Sequence, residues 1–303
     1  MFHVLKIRGF LPYILIVFLN AFNELGHKII IQNTVFKYFS GTTQIILAAV
    51  VNAVIILPFV ILFAPAGYLS DKYPKDKVIK LSAAAAFVLA ILVTLSFYAG
   101  WFKTSFILIF VLAVQAAFLS PAKYGYIKEL TGKENIAIAN AFVQAVRISA
   151  ILLGVFLFSI LFEKFYNPDF RAISDILTSI APLGYLIIAG TAIETLLAFT
   201  IPQQTEINKE LSFNRKQYIT GKYLKENLRT VKGNEVIWLS IIGLAIFWGI
   251  NQVVFVAFGA YLKGTANVTN TVVAQGLMAI AGLGVIIVSL TAGKVSKTTW
   301  RPG

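Results

Sequence analysis

Five side chains able to do chemistry stand within the nine residues Asn20-Ala-Phe-Asn-Glu-Leu-Gly-His-Lys28. On a helix Asn20, Asn23, Glu24, His27 and Lys28 fall at i, i+3, i+4, i+7 and i+8, so they share one face. The run around them, from Phe10 to about Ile31, is mostly Phe, Leu, Ile and Val. A helix in hydrocarbon must turn such a stripe toward other helices or a water-filled cavity. The stripe is therefore expected to line a path or a buried polar network, with Glu24 its foremost group. The competing expectation is that His27 and Lys28 reach the outer interface and snorkel, leaving the two Asn and Glu24 inside.

Three further sets of polar residues interrupt apolar runs. Asn140, Gln144 and Arg147 are spaced i, i+4 and i+7, again one helical face. Arg147 lies about half-way along its run, where a cation is costly unless it is paired. Glu24, an anionic headgroup or backbone carbonyls would satisfy it. Asn251 and Gln252 are adjacent and point to different faces, so at least one is expected to face the interior. Glu194 is expected to serve as a packing or interface partner for a loop cation rather than as a coupling carboxylate. The candidate substrate-binding set is thus Asn20, Asn23, Glu24, Lys28, Gln144, Arg147, Asn251 and Gln252.

The rest of the composition fits an integral membrane protein. Of 303 residues 58% are hydrophobic and only 13% charged, more apolar than a soluble domain of this size needs. Eight candidate spans follow one another at about 10–31, 45–66, 78–99, 105–121, 136–161, 181–201, 236–261 and 271–292, each long enough to cross a bilayer. The first resembles a signal peptide at its start, but it runs past the length of an h-region and is expected to stay uncleaved. The net charge of +13 would suit nucleic acid, but its placement argues otherwise. With the amino terminus inside, the inner loops carry Lys6, Arg8, Lys72, Lys75, Lys77, Lys123, Lys128 and nearly all of the basic 202–235 segment, while the outer loops carry only Lys37, Lys103, Lys164, Arg171 and Lys263. This is the positive-inside pattern, and it explains the basic balance with no nucleic-acid partner. There is no cysteine and only two histidines, His3 and His27. Thiolate metal sites are excluded, a His-based centre is not expected, and no cofactor is called for. Lysolipid acyl transfer commonly uses a His and an Asp with four residues between them; Arg8 and Gln32 stand at that fifth position instead. No other catalytic constellation is visible, so an enzyme is the least favoured class.

Two loop-proximal motifs remain. The first is Gly67-Tyr-Leu-Ser-Asp71-Lys72-Tyr-Pro-Lys75-Asp-Lys77. Gly67 would permit close backbone approach, and Asp71 could accept from a neighbouring helix N-terminus or pair with a cation there. A contact of that kind could latch one conformation and release in another. The bland alternative is a solvated turn with topology-setting lysines. The second is Ser120-Pro-Ala-Lys123-Tyr124-Gly125, where Pro121 should end or kink the helix and leave Lys123 and Tyr124 as interface anchors. Small residues in Ala150–Gly154 offer close helix packing.

The first loop resembles the G-x-L-x-D-[RK]-x-x-[RK]-[RK] segment of the major facilitator superfamily, with Asp76 in place of one basic residue. Further stretches resemble its lysophospholipid transporter branch: Phe22-Asn-Glu24, Ala64-Pro65, Ser120–Gly125, Glu129-Leu-Thr131, Ala139-Asn140-Ala141, Ala150–Gly154 and Phe247-Trp-Gly249. The resemblance implies an all-α helical bundle and inward movement of lysophospholipids, chiefly lysophosphatidylethanolamine, across a bacterial inner membrane. Glu24 would hold the place of the family's acidic residue in the first helix. Glu24 is followed by Leu where Asp-Asn is common, and a basic residue that some members have after Phe-Trp-Gly is missing, so Arg147 or Lys28 would substitute in headgroup recognition. That region also stands at the amino end of fusions with an acyltransferase and an acyl-carrier-protein synthetase. The implied partners are therefore membrane lipids, the lysophospholipid and such a fused or partnering enzyme.

The superfamily has twelve helices in two six-helix halves. This chain is thus expected to supply a first half (1–201), a basic cytoplasmic linker (202–235) and the first two helices of an incomplete second half (236–303), as a fragment of a longer protein. The alternative function is a proton-coupled facilitator of amphipathic drugs or metabolites working through Glu24 or Glu194.

Overall fold

Helix α1 (Phe10–Tyr38) is the axis of the bundle. Its most apolar window is 67% buried, well above that of any other span, so its polar stripe faces protein on nearly every side. The computed structural model describes residues 2–203, 213–278 and 280. Six of the described helices are long and apolar enough to cross a membrane: α1, α2 (Gly41–Ile61), α4 (Lys75–Tyr98), α5 (Phe102–Thr131), α6 (Ile136–Phe165) and α11 (Glu235–Gly264). Helices α7 (Ile173–Ile180) and α8 (Leu183–Ala198) together make a seventh, bent by 49° at the break. Short helices α3 (Phe63–Lys72), α9 (Arg215–Ile219) and α10 (Lys222–Lys232) lie between spans, and a helix over 271–278 follows α11. No strand occurs among the described residues.

Around α1 stand α6 and α8, with α2 and α5 completing the ring, while α4 packs behind on α5 and α8. Small residues allow the tight crossings. A Cβ at Gly26 would strike the Phe158 ring, and one at Gly154 would lie 3.4 Å from the Phe22 carbonyl oxygen. These two glycines bring α1 and α6 together, as small residues do where helices meet in lipid. On α8, Gly190 receives the Asn23 side chain and Gly184 the Thr94 side chain. Two apolar clusters fill the ends of the bundle, one around Phe22, Ile30, Phe97, Phe158 and Phe162, the other around Phe10, Tyr13, Ile79, Tyr126 and Val143.

Several expected boundaries are corrected. α1 does not stop near residue 31 but continues to Tyr38, through Gln32, Asn33 and Thr34. α5 does not end at Pro121. Proline removes one backbone donor and crowds the carbonyl one turn back, but it is tolerated in membrane helices where neighbouring groups compensate, and the helix runs on to Thr131. The sixth span begins earlier than 181, because Ile176, Leu177 and Ile180 of the supposed outer loop are buried as α7. Most of the eighth expected span, including Gly282 and Gly284, lies outside the described residues.

Candidate functional site

Half-way along α1 the predicted stripe opens on a narrow cavity of about 40 Å³, between α1, α5 and α8. Its walls include Asn20, Asn23, Glu24, His27 and Lys28 from α1, Gln115 from α5, and Thr191 and Glu194 from α8, with Ile55, Ala86, Ile109 and Leu112 closing it on the apolar side. A space of that size has room for a few water-sized groups. His27 is buried and Lys28 lines the cavity, its Nζ 6.0 Å from the Phe255 ring centroid. The snorkelling alternative fails because α1 extends ten residues past Lys28, which leaves both side chains well inside the span.

One buried charged residue of this region was read from the sequence as an interface anchor. Lys123 is buried, and its Nζ donates to Asn20 Oδ1 at 2.8 Å. The continuation of α5 past Pro121 turns it inward. Its own carbonyl accepts from the Tyr13 hydroxyl at 2.6 Å, which pins that turn of α5 to α1. Tyr124 stays half-buried beside it, the ammonium 5.7 Å from its ring centroid. A charge-assisted bond of this sort in a low-dielectric site is worth more than its surface counterpart.

Glu194 is the residue that sequence reasoning undervalued. It is 1% exposed and accepts from Asn23 Nδ2 at 3.4 Å. The signal was present, as an isolated carboxylate inside a span faces a functional interior by default. Glu194 Oε1, Asn23 Oδ1 and both His27 ring nitrogens are buried without a protein partner among the described residues. Buried polar atoms normally find one, so these are the atoms free to meet a polar ligand or water. The cavity therefore gathers a cation, two carboxylates and amide groups within apolar walls, an arrangement suited to binding a small polar or zwitterionic group.

Four of the eight predicted binding residues meet here: Asn20, Asn23, Glu24 and Lys28. The others do not. The α6 face against α1 runs through Ala139, Val143, Ala150, Gly154 and Phe158. Asn140 and Gln144 stand one position further on, roughly 100° around the helix, and both are exposed, as is Arg147. Arg147 makes no ion pair with Glu24 within 4.0 Å, contrary to the pairing considered for it. On α11, Asn251 donates to its own helix at Phe247 O, 2.8 Å away, and Gln252 lines an apolar groove between α2 and α11.

The loop motif is also rearranged. Gly67 has nothing within 4 Å of where a Cβ would lie, so no close backbone approach requires it. Asp71 is exposed, and the enclosed carboxylate is Asp76, 1% exposed and paired with Lys80 at 2.9 Å. Lys72 donates to the Tyr68 hydroxyl at 2.7 Å, which holds its ammonium above the usual lysine range. The Tyr68 ring in turn packs at a tilt against Phe213 of the segment leading to α9, ring centroids 5.2 Å apart.

Residues 13–303 match the model of the Major Facilitator Superfamily. The chain belongs to this superfamily. It is similar to the lysophospholipid transporter LplT of Photorhabdus laumondii, 26% identical over 249 residues, covering 80% of this chain and 57% of that protein. It is also similar to the LplT of Salmonella typhimurium, 27% identical over 245 residues, covering 76% of this chain and 54% of that protein. For the LplT of Salmonella heidelberg the identity is 26% over 301 residues, with 93% and 66% coverage. The chain spans little more than half the length of the first two of these relatives. It is a multi-pass membrane protein of transporter rather than enzyme ancestry.

Proposed function

We propose that the chain is the first half, with the start of the second, of a transporter that moves lysophospholipids of the lysophosphatidylethanolamine type across a bacterial inner membrane by alternating access. The observation that carries this reading is the cavity on α1. Glu24, Glu194 and Lys28 bring both signs of charge to one polar spot, with Lys123 bonded to its Asn20 wall, while the rest of the lining is apolar. A zwitterionic headgroup with one acyl chain needs that combination. The cavity is too narrow for a whole headgroup, so the substrate would be accommodated as the halves move apart, with Gln144, Arg147, Asn251 and Gln252 on the surfaces that face the remainder of the transporter. The names of the relatives point to the same substrate class. The concentration of cations in one set of loops supports a cytoplasmic amino terminus.

The test is inward movement of labelled lysophosphatidylethanolamine in spheroplasts expressing a full-length protein that contains this chain, beside its Glu24→Ala variant. Movement that depends on Glu24 is expected. A well-expressed parent that moves no lysolipid would overturn the reading. One observation favours a second reading: Glu194 is buried in the same cavity as Glu24, as a proton-coupled exporter of amphipathic compounds would require. Export of a cationic dye that follows a pH gradient, without lipid movement, would select it.

A further inference from the structure

The end of the bundle where α1 finishes is fastened to α11 and the 271–278 helix by charges that pass in both directions. Lys37 Nζ, at the last turn of α1, pairs with Glu163 of α6 at 2.9 Å and donates to the Thr269 carbonyl at 2.8 Å. Glu163 also accepts from the Thr271 backbone N–H. That N–H opens the 271–278 helix, where a carboxylate is favoured by the unpaired donors and the helix dipole. In the opposite direction Lys263, one residue from the end of α11, reaches back to the C-terminus of α1. Its Nζ donates to the carbonyls of Phe36 at 2.5 Å, Lys37 at 3.2 Å and Phe39 at 2.6 Å. These are carbonyls that a helix end leaves without intrahelical partners, and a cation is their natural complement.

Beneath the charges lies an apolar seal of Phe36, Leu262 and Ala274. Below that, Gln275 donates to Asn33 and Asn33 to Ser159, at 3.3 and 3.2 Å. At its opposite end α11 meets α10 and is otherwise largely exposed among the described residues, with Val236 71% and Leu239 58% exposed, as is Trp248 at its middle, 56%. The first six spans and the helices after residue 235 thus meet through α11's far end, and the meeting is made of bonds that exchange helix-end groups for side-chain charges.

We infer that Lys37, Glu163 and Lys263 form the lock of an outer gate. It holds α1 and α6 against α11 and the following helix in the conformation open to the other side, and its release is required for the outer end to open. This rests on the proposed alternating-access reading for its direction, but its contacts and its test do not depend on which substrate is carried. The residues position the two sides and touch no substrate. The lock is distinct from the α1 cavity: Lys37 lies thirteen residues beyond Glu24 on α1, roughly 20 Å along the axis.

The test uses the full-length protein in nanodiscs and reads thiol modification rather than transport. The chain has no cysteine of its own, so once any cysteine in the rest of the full-length protein is replaced by Ser, single reporters can be placed by Gln32→Cys, beneath the lock, and Ser70→Cys, 2% exposed near the opposite end. Glu163→Gln removes the charge that holds both Lys37 and Thr271. Loss of a charge-assisted bond from the closed state should raise maleimide modification at the Gln32→Cys reporter about tenfold, with the Ser70→Cys reporter still protected. Lys263→Met, on the other side of the lock, should do the same by a separate route. Glu134→Gln, at an exposed position, should leave both rates unchanged. If neither lock variant speeds modification at the outer reporter, the inference is overturned. If both variants expose the inner reporter equally, the contacts hold the fold together rather than gate it, and the inference is likewise overturned. A protein that moves no lysolipid but shows the selective rise would lose the proposed substrate and keep the lock.

Discussion

Replacing Asn20 by Ala should destabilise the bundle more than replacing Lys123 by Met, although the two side chains share one hydrogen bond. Nζ of Lys123 lies 2.8 Å from Oδ1 of Asn20, and both residues are buried. Asn20→Ala strips an enclosed ammonium of its acceptor, and removing one partner from a buried charged interaction costs about 3–5 kcal/mol. Lys123→Met removes the charge itself and keeps most of the volume. It leaves a neutral amide oxygen without its donor, at about 1–3 kcal/mol. The difference of ~2 kcal/mol corresponds, for a chain of this length, to roughly 4–8 °C in apparent Tm. The double variant should lose less than the sum of the singles, with an interaction term of about 1–2 kcal/mol. The assay is thermal unfolding in nanodiscs followed by tryptophan fluorescence, at one lipid composition and scan rate so that irreversibility bears equally on every variant. Equal losses in the two single variants, or strict additivity in the double, would refute the reasoning, because the ammonium would then be satisfied by groups other than Asn20.

Four other outcomes are expected. Asp76→Ala should cost about 1–3 kcal/mol in the same assay, since a buried carboxylate and Lys80 lose each other, while Asp71→Ala, at an exposed site, should stay within about 0.5 kcal/mol. Gly190→Val should lower folded yield by detergent size-exclusion, with a penalty of about 1–3 kcal/mol, because the new side chain takes the space of the Asn23 amide. Gly67→Ala, with nothing near its Cβ and a helical backbone, should be neutral or stabilising by up to about 1 kcal/mol. Glu194→Gln should impair lysolipid movement as Glu24→Ala does while preserving expression; full activity in the spheroplast assay would remove Glu194 from the site.

The spans were legible because hydrocarbon imposes a length and a composition that few soluble segments share. The α1 stripe was legible for a related reason. Five polar groups at helical spacing in an apolar run have only the interior to face, and the structure puts Asn20, Asn23, Glu24, His27 and Lys28 on one cavity. Less was legible where side-chain direction depends on tertiary contact. Hydropathy falls off after Leu119, yet α5 continues, and so Lys123 turns inward where an interface anchor was expected. The Asn140–Gln144–Arg147 face was correctly seen as one face, but which face of α6 meets α1 is decided by the glycines and by Phe158, one position away. In the loop motif, the chemically equivalent Asp71 and Asp76 could not be ranked by type alone. Burial chose Asp76, which lies in the first turn of α4 and pairs with Lys80 one turn on.

The cavity and the lock share α1, and the α1–α6 crossing lies at the level of the cavity. Gly26 meets Phe158 and Gly154 meets the Phe22 carbonyl, with Glu24 amid these contacts and Lys37 at the far end. Contacts that close leave little freedom for α1 to slide on α6, so the two helices should move as one body and opening must come from α11 and the helix after it. The consequence separates two kinds of variant. Gly154→Leu wedges α1 from α6, and should lower thermal stability and expose both the Gln32→Cys and the Ser70→Cys reporter. Lys263→Met leaves that crossing untouched, and should expose only the first with little loss of stability. If Gly154→Leu instead raised modification at Gln32→Cys alone, α1 would be moving against α6, and the hinge would have to be placed within the first six spans rather than between them and α11.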